Sequence, residues 1–308
     1  MTPDPQFAGW ADQAGHSIIE KSSADYPLLL EAIPGPPERL CVVGCVDALH
    51  LPALAIVGSR NPTRQGRQTA YEFARHLGKS GFCIVSGLAQ GIDAAAHEGA
   101  LDGGAMTVAF LGHGVDSVYP ASNRQLAERI AANGALCSEF PLGSKPRREH
   151  FPQRNRLISG LSLGTIVVEA ARRSGSLITA RLASEQGREV FAIPGSIHNP
   201  LSRGCHQLIR QGAKLVESAA DIVDELGPLV DHISMPPESL PGEDDRSATD
   251  DPDYGTLLEA MGYDPASADE LAARSGLTID QVSSMLLILE LEGKIEAQAG
   301  GRYSRLSR

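Results

Sequence analysis

Short apolar runs alternate with amphipathic stretches along the first 226 residues of the chain. Between the runs, apolar residues recur at three- and four-residue spacing, which predicts helices over residues 65–79, 92–101, 123–132 and 177–186. The strict alternation of strands and helices indicates an α/β fold. We expect an extended Rossmann-like architecture, with a mostly parallel sheet and helices on both of its faces. The predicted strands are residues 54–57, 82–85, 106–111, 136–138, 165–168 and 190–193.

The rest of the chain divides by composition. Residues 1–50 contain a short helical run and a proline-stiffened turn, and we expect them to form an N-terminal extension packed on a Rossmann-like domain of residues 51–226. Residues 227–253 carry eight acids, one arginine and five prolines, which is typical of an acidic disordered linker. In residues 254–308, helical stretches followed by a two-stranded wing predict a winged helix-turn-helix domain.

The net charge of −11 at pH 7 is concentrated outside the main domain. The predicted linker has a net charge of −7 and residues 254–308 one of −3, so residues 1–226 retain only −1. The most basic segment, Lys145–Arg156, has five bases and one acid. In a groove its arginines would hold phosphates while Phe151 stacks on an unpaired base. A solvated loop is the alternative interpretation.

Small or polar loops follow four of the predicted strands. Their glycines allow backbone amides to contact a ligand, and each following helix adds unpaired N–H groups. The loops therefore predict an anion-binding rim, unless the glycines only close tight turns. No loop has the GxxxxGK[ST] pattern of a P-loop or the GxGxxG pattern of dinucleotide-binding proteins. The four loops are residues 58–60, 86–93, 112–116 and 174–179.

The cysteines and the apolar runs bear on compartment and metal binding. Five scattered cysteines without a CxxC pair indicate buried thiols in a reducing compartment. Cys41, Cys45 and His50 lack the spacing of a zinc site, so no metal is expected. The chain has no signal-peptide pattern and no long apolar run, so we expect a cytoplasmic protein without a membrane partner.

Four titratable residues invite an enzymatic interpretation. His97 lies in a helical stretch among alanines, without a partner at a triad-like position. Asp93, Asp116 and Glu169 fit turn and helix N-terminal positions, where carboxylates cap free N–H groups. We therefore predict no catalytic residue and no cofactor.

Ordered motifs from about Pro27 to Leu226 resemble the DNA processing protein A family, called DprA or Smf. The resemblance implies an extended Rossmann domain that dimerises, binds single-stranded DNA and loads the RecA recombinase on incoming strands in natural transformation. It implies no turnover of a substrate. The C-terminal residues resemble the winged helix that ends many members. Among the motifs are AIVGSR at 55–60, SGLAQGIDAAAH at 86–97, GHGVDSVYP at 112–120, FPQRNRLISGLS at 151–162 and SGSLITA at 174–180.

The resemblance also implies a strand-binding pocket and a homodimer interface. Arg60 would grip one phosphate, and the Ser-Gly amides would seat the next. Leu208 and Ile209, within Gly204–Lys214, are predicted at the dimer interface, with a plain core role as the alternative. The pocket residues carried over are Gly58, Ser59, Arg60, Ser86, Gly87, Gly91, Phe151, Arg154, Arg156, Gly175, Ser176 and Thr179. The basic segment adds Lys145, Arg147, Arg148 and Asn155.

Three positions depart from the family pattern. Gln90 stands where many relatives have arginine, Ala121 where some have lysine, and His206 where asparagine is usual. The first two departures would thin the positive groove and leave binding more dependent on the remaining arginines: Arg147, Arg148, Arg154 and Arg156.

Two other functions stay open. Gly164–Glu169 echoes part of the phosphate-binding motif of nucleoside monophosphate phosphoribohydrolases, although Leu161–Leu163 replaces the prolyl-glycines of that motif. A nucleotide-sensing domain without a polymer ligand is the other.

The predicted recognition helix of the winged helix, residues 278–292, has three acids and no lysine or arginine. We therefore expect that domain to contact proteins rather than bind duplex DNA on its own.

Overall fold

The structure, a computed structural model, contains two compact units, one within residues 1–234 and the other within residues 235–308. None of the helices described is long and apolar enough to cross a membrane. The structure describes residues 5–234, 252–261, 266–291, 295–298 and 302–305.

A nine-stranded sheet forms the centre of the first unit, in the order β1-β2-β6-β5-β4-β3-β7-β8-β9. The neighbours from β6 to β9 run parallel, whereas β1 and β2 pair antiparallel at one edge. The predicted Rossmann-like fold class is confirmed, and the six predicted strands correspond to β3 through β8. The strands are β1 His16–Glu20, β2 Arg39–Gly44, β3 Ala53–Val57, β4 Cys83–Ser86, β5 Thr107–Phe110, β6 Gly134–Ser138, β7 Gly164–Val167, β8 Glu189–Ala192 and β9 Lys214–Leu215.

Helices cover both faces of this sheet. The four predicted helices correspond to α3, α4, α5 and α7. Helix α6 begins inside the basic segment that the sequence suggested as a loop. Pro152 is tolerated there because it lies in the first turn, where backbone N–H groups have no helical partner. The helices are α1 Pro5–Ala11, α2 Leu28–Glu31, α3 Arg64–Lys79, α4 Ile92–Asp102, α5 Arg124–Ala132, α6 His150–Gly160, α7 Gly175–Glu185, α8 Arg203–Arg210 and α9 Ala219–Ser234.

Strand β3 illustrates how the sequence produces two cores. Successive side chains of a strand point to opposite faces. Ala55 and Val57 belong to one buried cluster and Leu54 and Ile56 to the other. Each large aliphatic side chain buried in this way stabilises the fold by about 1.5–3 kcal/mol. Because both faces are covered, the strand is apolar throughout, and its ligand-facing positions are confined to its ends.

The order of the strands determines where a ligand site is expected. The chain proceeds outward from β3 through β4, β5 and β6 on one side, then returns to add β7, β8 and β9 on the other side. Loops that leave β3 and β7 therefore diverge, and a crevice opens beyond their carboxyl ends. Open α/β sheets bind ligands at this switch point.

The N-terminal residues differ from the expected packing. Strands β1 and β2 extend the sheet itself, with Ile18 paired to Cys41, while the predicted short helix is α2. The C-terminal boundary differs as well. Helix α9 continues through Ser234, so residues 227–234 of the predicted linker are helical. Residues 235–251 of that prediction lie outside the described residues.

The second unit has the predicted winged-helix elements. Helix α11 begins with a reciprocal capping box between Ser267 and Glu270, and it ends at Gly276, whose φ of 75° is the left-handed value that glycine adopts readily. Leu271, Val282 and Leu286 are buried in a separate core. The elements are α10 Pro252–Met261, β10 Ala266–Ser267, α11 Ala268–Ser275, α12 Ile279–Leu291, β11 Ile295–Gln298 and β12 Arg302–Arg305.

Candidate functional site

A cleft of 590 Å³, the first cleft, opens beyond the carboxyl ends of β3 and β7. Its walls come from the loops after these strands, from the start of α6 and from the start of α7. A small pocket adjoins it and is lined by Gly87. Nine of the predicted site residues line the first cleft: Gly58, Arg60, Arg148, Phe151, Arg154, Asn155, Gly175, Ser176 and Thr179.

One wall of the first cleft combines a cation with two aromatic rings. The Cζ atom of Arg60 lies 5.4 Å from the centroid of the Phe151 ring, and the centroid of the Tyr119 ring lies 6.0 Å from that of Phe151. Tyr119 is 50% exposed. The sequence interpretation missed Tyr119 as a site residue, although its position in the loop after β5 was an available signal.

The loop between β4 and α4 is fixed in shape by hydrogen bonds within the protein. The Asp93 carboxylate accepts from the amides of Gly87 and Ala89 at 3.2 and 3.4 Å, and the Ser86 hydroxyl donates to the Ile56 carbonyl. The Gly87 amide was expected to seat a phosphate, but in the structure it donates to Asp93. The Ser86 hydroxyl is likewise directed into the sheet.

Gly91 and Ser59 hold this loop against the loop after β3. Gly91 has a φ of 86°, and a Cβ atom there would lie 2.6 Å from the Arg60 carbonyl oxygen, so only glycine fits without strain. The Ser59 carbonyl accepts from the Ile92 amide at 3.1 Å, and its hydroxyl accepts from the Asn61 amide at 3.1 Å. Neither residue lines the first cleft; both position Arg60.

Arg154 forms the floor of the first cleft. It is 3% exposed, its Nη1 donates to the Phe110 carbonyl, and a side chain at Gly87 would collide with its guanidinium. Burial lowers the pKa of Arg154 to about 10, so it stays charged at neutral pH. Burial likewise raises the pKa of Asp93, against the attraction of Arg154. Arg154 therefore contributes a fixed positive charge beneath the cleft.

The basic segment does not act as one groove. Positions 154 and 156 point to opposite sides of α6, because two residues turn a helix by about 200°. Arg156 forms an ion pair with the largely buried Glu139, away from the first cleft. Lys145 and Arg147 are exposed in the loop before α6 and do not line it either. Of the five predicted bases, only Arg148 and Arg154 line the first cleft.

The other titratable residues have structural partners. Glu169 accepts from the Thr63 amide at 2.8 Å and its hydroxyl at 2.7 Å, at the start of α3. Asp116 accepts from the Gly143 amide. His97 is fully buried, 2.7 Å from the Thr107 hydroxyl. Within the described part of the chain, no group of three histidines, cysteines or acids is arranged to hold a metal ion.

Helix α7 supplies the last wall of the first cleft. The Ser174 side chain caps the helix by accepting from the Ser176 amide at 3.3 Å, and the two hydroxyl oxygens lie 2.6 Å apart. Thr179, one turn later, is buried against the cleft. The helix N-terminus thus presents small polar groups and a partial positive charge to the cleft. Fold and site together define a Rossmann-like protein with a cationic and aromatic cleft at its switch point and an appended winged helix.

Comparison with known proteins narrows this class to one family. The family profile described as DNA recombination-mediator protein A matches residues 17–227, and that of the DprA winged helix domain matches residues 241–301. The chain therefore belongs to the DprA/Smf family of DNA recombination mediators, as the motifs indicated. The profile match covers β2 and the first cleft, together with β1 from Ser17 onward.

Individual relatives agree with this assignment. Protein Smf of Escherichia coli is 43% identical over 97% of this chain and 80% of its own length. The crystal structure of DNA processing protein A from Streptococcus pneumoniae has a TM-score of 0.66 and 45% identity, covering 69% of this chain and 75% of that one. A Helicobacter pylori structure is described as showing the single-stranded DNA binding mode of DNA processing protein A. It has a TM-score of 0.63 and 32% identity, and the match covers 69% of this chain and 96% of that one.

Proposed function

We propose that this protein binds single-stranded DNA in the first cleft and loads the RecA recombinase on it during natural transformation, in the cytoplasm. The observation that carries the proposal is the arrangement of Arg60, Phe151 and Tyr119 in one wall of the cleft. Stacking on an aromatic side chain requires an unpaired base, and a neighbouring cation holds the phosphate of the same strand. The relative from Helicobacter pylori, described by its single-stranded DNA binding mode, supports the same ligand.

The contacts in the first cleft favour a binding site over a hydrolase. Acid–base catalysis of hydrolysis needs a carboxyl group within reach of the substrate, but Glu169 accepts two hydrogen bonds from Thr63 and does not line the cleft. Asp93 does line it, with a carboxylate that accepts from two amides of its own loop. These contacts support a mediator that binds DNA without turnover.

We further propose a homodimer formed through the β9 edge of the sheet. Leu215 on this edge strand is 45% exposed, and an unpaired edge is a ready template for a second strand. Ile209 is partly buried in α8, a helix whose residues Gln207 and Leu208 line a groove of 680 Å³ that extends from α7 to α8. Leu208 is 8% exposed and belongs to the core, so Ile209 is the better test position. Ile209→Arg should convert the dimer to a monomer in light scattering, whereas an unchanged mass would remove this edge from the interface.

The winged helix is proposed to contact proteins, RecA among them, rather than duplex DNA. The described surface residues of α12 include Gln281, Ser283 and Ser284 but no cation. A chain ending at Ser234 should keep the affinity for single strands and lose stimulation of RecA filament formation. A loss of DNA affinity on truncation would assign strand binding to the winged helix instead.

The central experiment compares ligands at several salt concentrations. Labelled oligo-dT and the matched duplex are titrated with the protein by fluorescence anisotropy, beside an assay for adenine release from AMP. We expect tight binding to the single strand that weakens steeply with salt, because phosphate contacts release counterions. Adenine release without oligonucleotide binding would overturn the proposal in favour of the phosphoribohydrolase.

A further inference from the structure

A second cleft of 600 Å³ lies on the other side of Arg60 from the first. It extends from the start of α3 to the residues just before α5, and Arg60 lines both clefts. The small pocket between them is lined by residues of each, including Tyr119, Phe151 and Gln90. The two clefts therefore belong to one surface, and Arg60 lies at the boundary between them.

The chemistry of the second cleft differs from that of the first. The first has aromatic and aliphatic walls from Phe151, Ile158 and Ile178, which suit a base. The second is lined mainly by polar side chains, among them Asn61 and Asn123. A polar, open cleft suits a solvated sugar–phosphate better than a base, because an apolar ring would gain little by leaving water there.

The charges of the second cleft do not cancel. Arg67 and Glu98 lie opposite each other at 2.9 Å and neutralise one another. Arg64 is exposed, and no residue in the described part of the chain forms an ion pair or hydrogen bond with its side chain. Arg60 and Arg64 therefore remain as uncompensated cations on one wall. Such a wall attracts an anionic polymer.

The opposite wall is a chain of uncharged hydrogen bonds. Gln90 Nε2 donates to the Ser122 hydroxyl at 3.1 Å, and Asn123 Nδ2 donates to the Leu88 carbonyl at 3.0 Å. Leu88 has a φ of 57°, an uncommon value for a residue other than glycine. The wall is thus held in a fixed shape and offers amide and hydroxyl groups that do not discriminate between bases.

We propose that the second cleft is a further subsite for the same DNA strand, in which Arg64 contacts a phosphate next to the nucleotide stacked on Phe151. This inference rests on the proposed single-strand function of the first cleft. Tyr119 lies where the strand passes from one cleft to the other, and its half-exposed ring supports the intervening base. Position 90 carries glutamine rather than the arginine of many relatives. Arg64 therefore provides the positive charge that lies beyond Arg60 along this path.

The test measures affinity for oligo-dT of increasing length with three alanine variants and one arginine variant. Arg64→Ala removes the cation of the second cleft and Arg60→Ala the shared one. Arg75→Ala removes an exposed cation three turns further along α3 as the matched control. A short oligomer of about four nucleotides fits the first cleft alone, and one of about twelve reaches the second, given site sizes of roughly 4–16 nucleotides in single-strand binding proteins.

We expect Arg64→Ala to weaken binding of the long oligomer about three- to tenfold, equivalent to about 0.7–1.4 kcal/mol. It should reduce the slope of log K against log salt by about 0.7, the contribution of one phosphate contact to a single strand. Binding of the short oligomer should not change. Arg60→Ala should weaken both oligomers and Arg75→Ala neither. Gln90→Arg, a change that adds charge to the second cleft, should strengthen binding of the long oligomer and steepen its salt slope.

Three outcomes would contradict the subsite. If Arg64→Ala binds the long oligomer as the wild type does while Arg60→Ala does not, the strand occupies the first cleft alone. If Arg75→Ala has the same effect as Arg64→Ala, the contribution is a general one of surface charge. If the wild type binds neither oligomer, the proposed function itself fails, together with the subsite.

Discussion

Arg60 lies with its guanidinium over the ring of Phe151, 5.4 Å from Cζ to the ring centroid. The two side chains come from separate elements that meet at the switch point, since Arg60 lies in the loop after β3 and Phe151 in the first turn of α6. This cation–π contact favours the assembled pair before a strand arrives. Less conformational entropy is then lost on binding.

Replacing Arg60 tests the cation of this pair. Arg60→Ala should weaken oligo-dT binding at least tenfold, or about 1.4 kcal/mol, because both clefts lose their shared charge. Arg60→Lys should recover part of the loss, since lysine keeps the charge but not the planar guanidinium. Affinity is measured by fluorescence anisotropy, with urea unfolding as the control for folding. Unchanged affinity in the alanine variant would remove Arg60 from the binding surface.

Replacing Phe151 tests the ring separately from the charge. Phe151→Leu keeps an apolar side chain but cannot stack, so binding should weaken by about 1–3 kcal/mol. Phe151→Tyr should bind within about threefold of the wild type, because both rings stack. The salt slope should stay the same in both variants, since stacking releases no counterions. A slope that falls in Phe151→Leu would mean that the ring acts through Arg60 rather than on a base.

The fold was predictable from the sequence because the buried parallel strands are apolar along their whole length. Strands such as β3 and β7 could be located within one or two residues. The edge strand β1 was not located, because its residues are only partly buried and carry no continuous apolar signal. Helix α6 was not among the predicted helices, because proline and several charges obscure the helical period over its first turns.

The site was predictable in its location but less so in its contacts. Strand ends and glycine loops indicated the right edge of the sheet. The sequence did not reveal that Asp93 accepts from the Gly87 amide, because the spacing of residues in a loop does not give its backbone shape. It did not reveal that Tyr119 adjoins Phe151 either, because that contact joins distant parts of the chain. Side-chain direction on α6 also required the structure, because a basic segment has no apolar face from which its helical phase can be determined.

Replacement of Arg148 should change DNA binding, whereas replacement of Arg156 should change the stability of the fold. Arg148 is exposed and lines the first cleft, so Arg148→Ala should weaken binding and reduce the salt slope by about 0.7 without changing stability. Arg156→Ala leaves the buried Glu139 without its partner, which should lower the free energy of unfolding by about 3 kcal/mol. Its salt slope should equal that of the wild type.

Urea unfolding and salt titrations of the Arg148→Ala and Arg156→Ala variants distinguish the role in DNA binding from the role in stability. A double variant, Arg156→Ala with Glu139→Gln, serves as the matched control, since it removes the uncompensated acid and should recover part of the stability. A reduced salt slope in Arg156→Ala at unchanged stability would return Arg156 to the DNA-binding surface.

His97 makes the stability of the fold depend on pH. The Thr107 hydroxyl donates to the Ile84 carbonyl at 2.6 Å, so it accepts from His97 Nδ1. Nε2 is buried without a hydrogen-bond partner among the described residues, and a second proton there would have no acceptor. Burial accordingly lowers the pKa of His97 from 6.5 to about 3. Between these pKa values the unfolded chain binds a proton that the folded protein excludes, so stability falls as pH falls through this window.

Lowering the pH from about 7 to about 5 should therefore cost about 2 kcal/mol of stability through His97, at 1.36 kcal/mol per pKa unit. His97→Asn supplies an amide donor in place of Nδ1–H but does not titrate, so it should lose about 2 kcal/mol less than the wild type over the same range. Urea unfolding at the two pH values measures both losses, and each protein is compared only with itself. Equal losses in the two proteins would mean that His97 is protonated in the folded state, in contradiction to its complete burial.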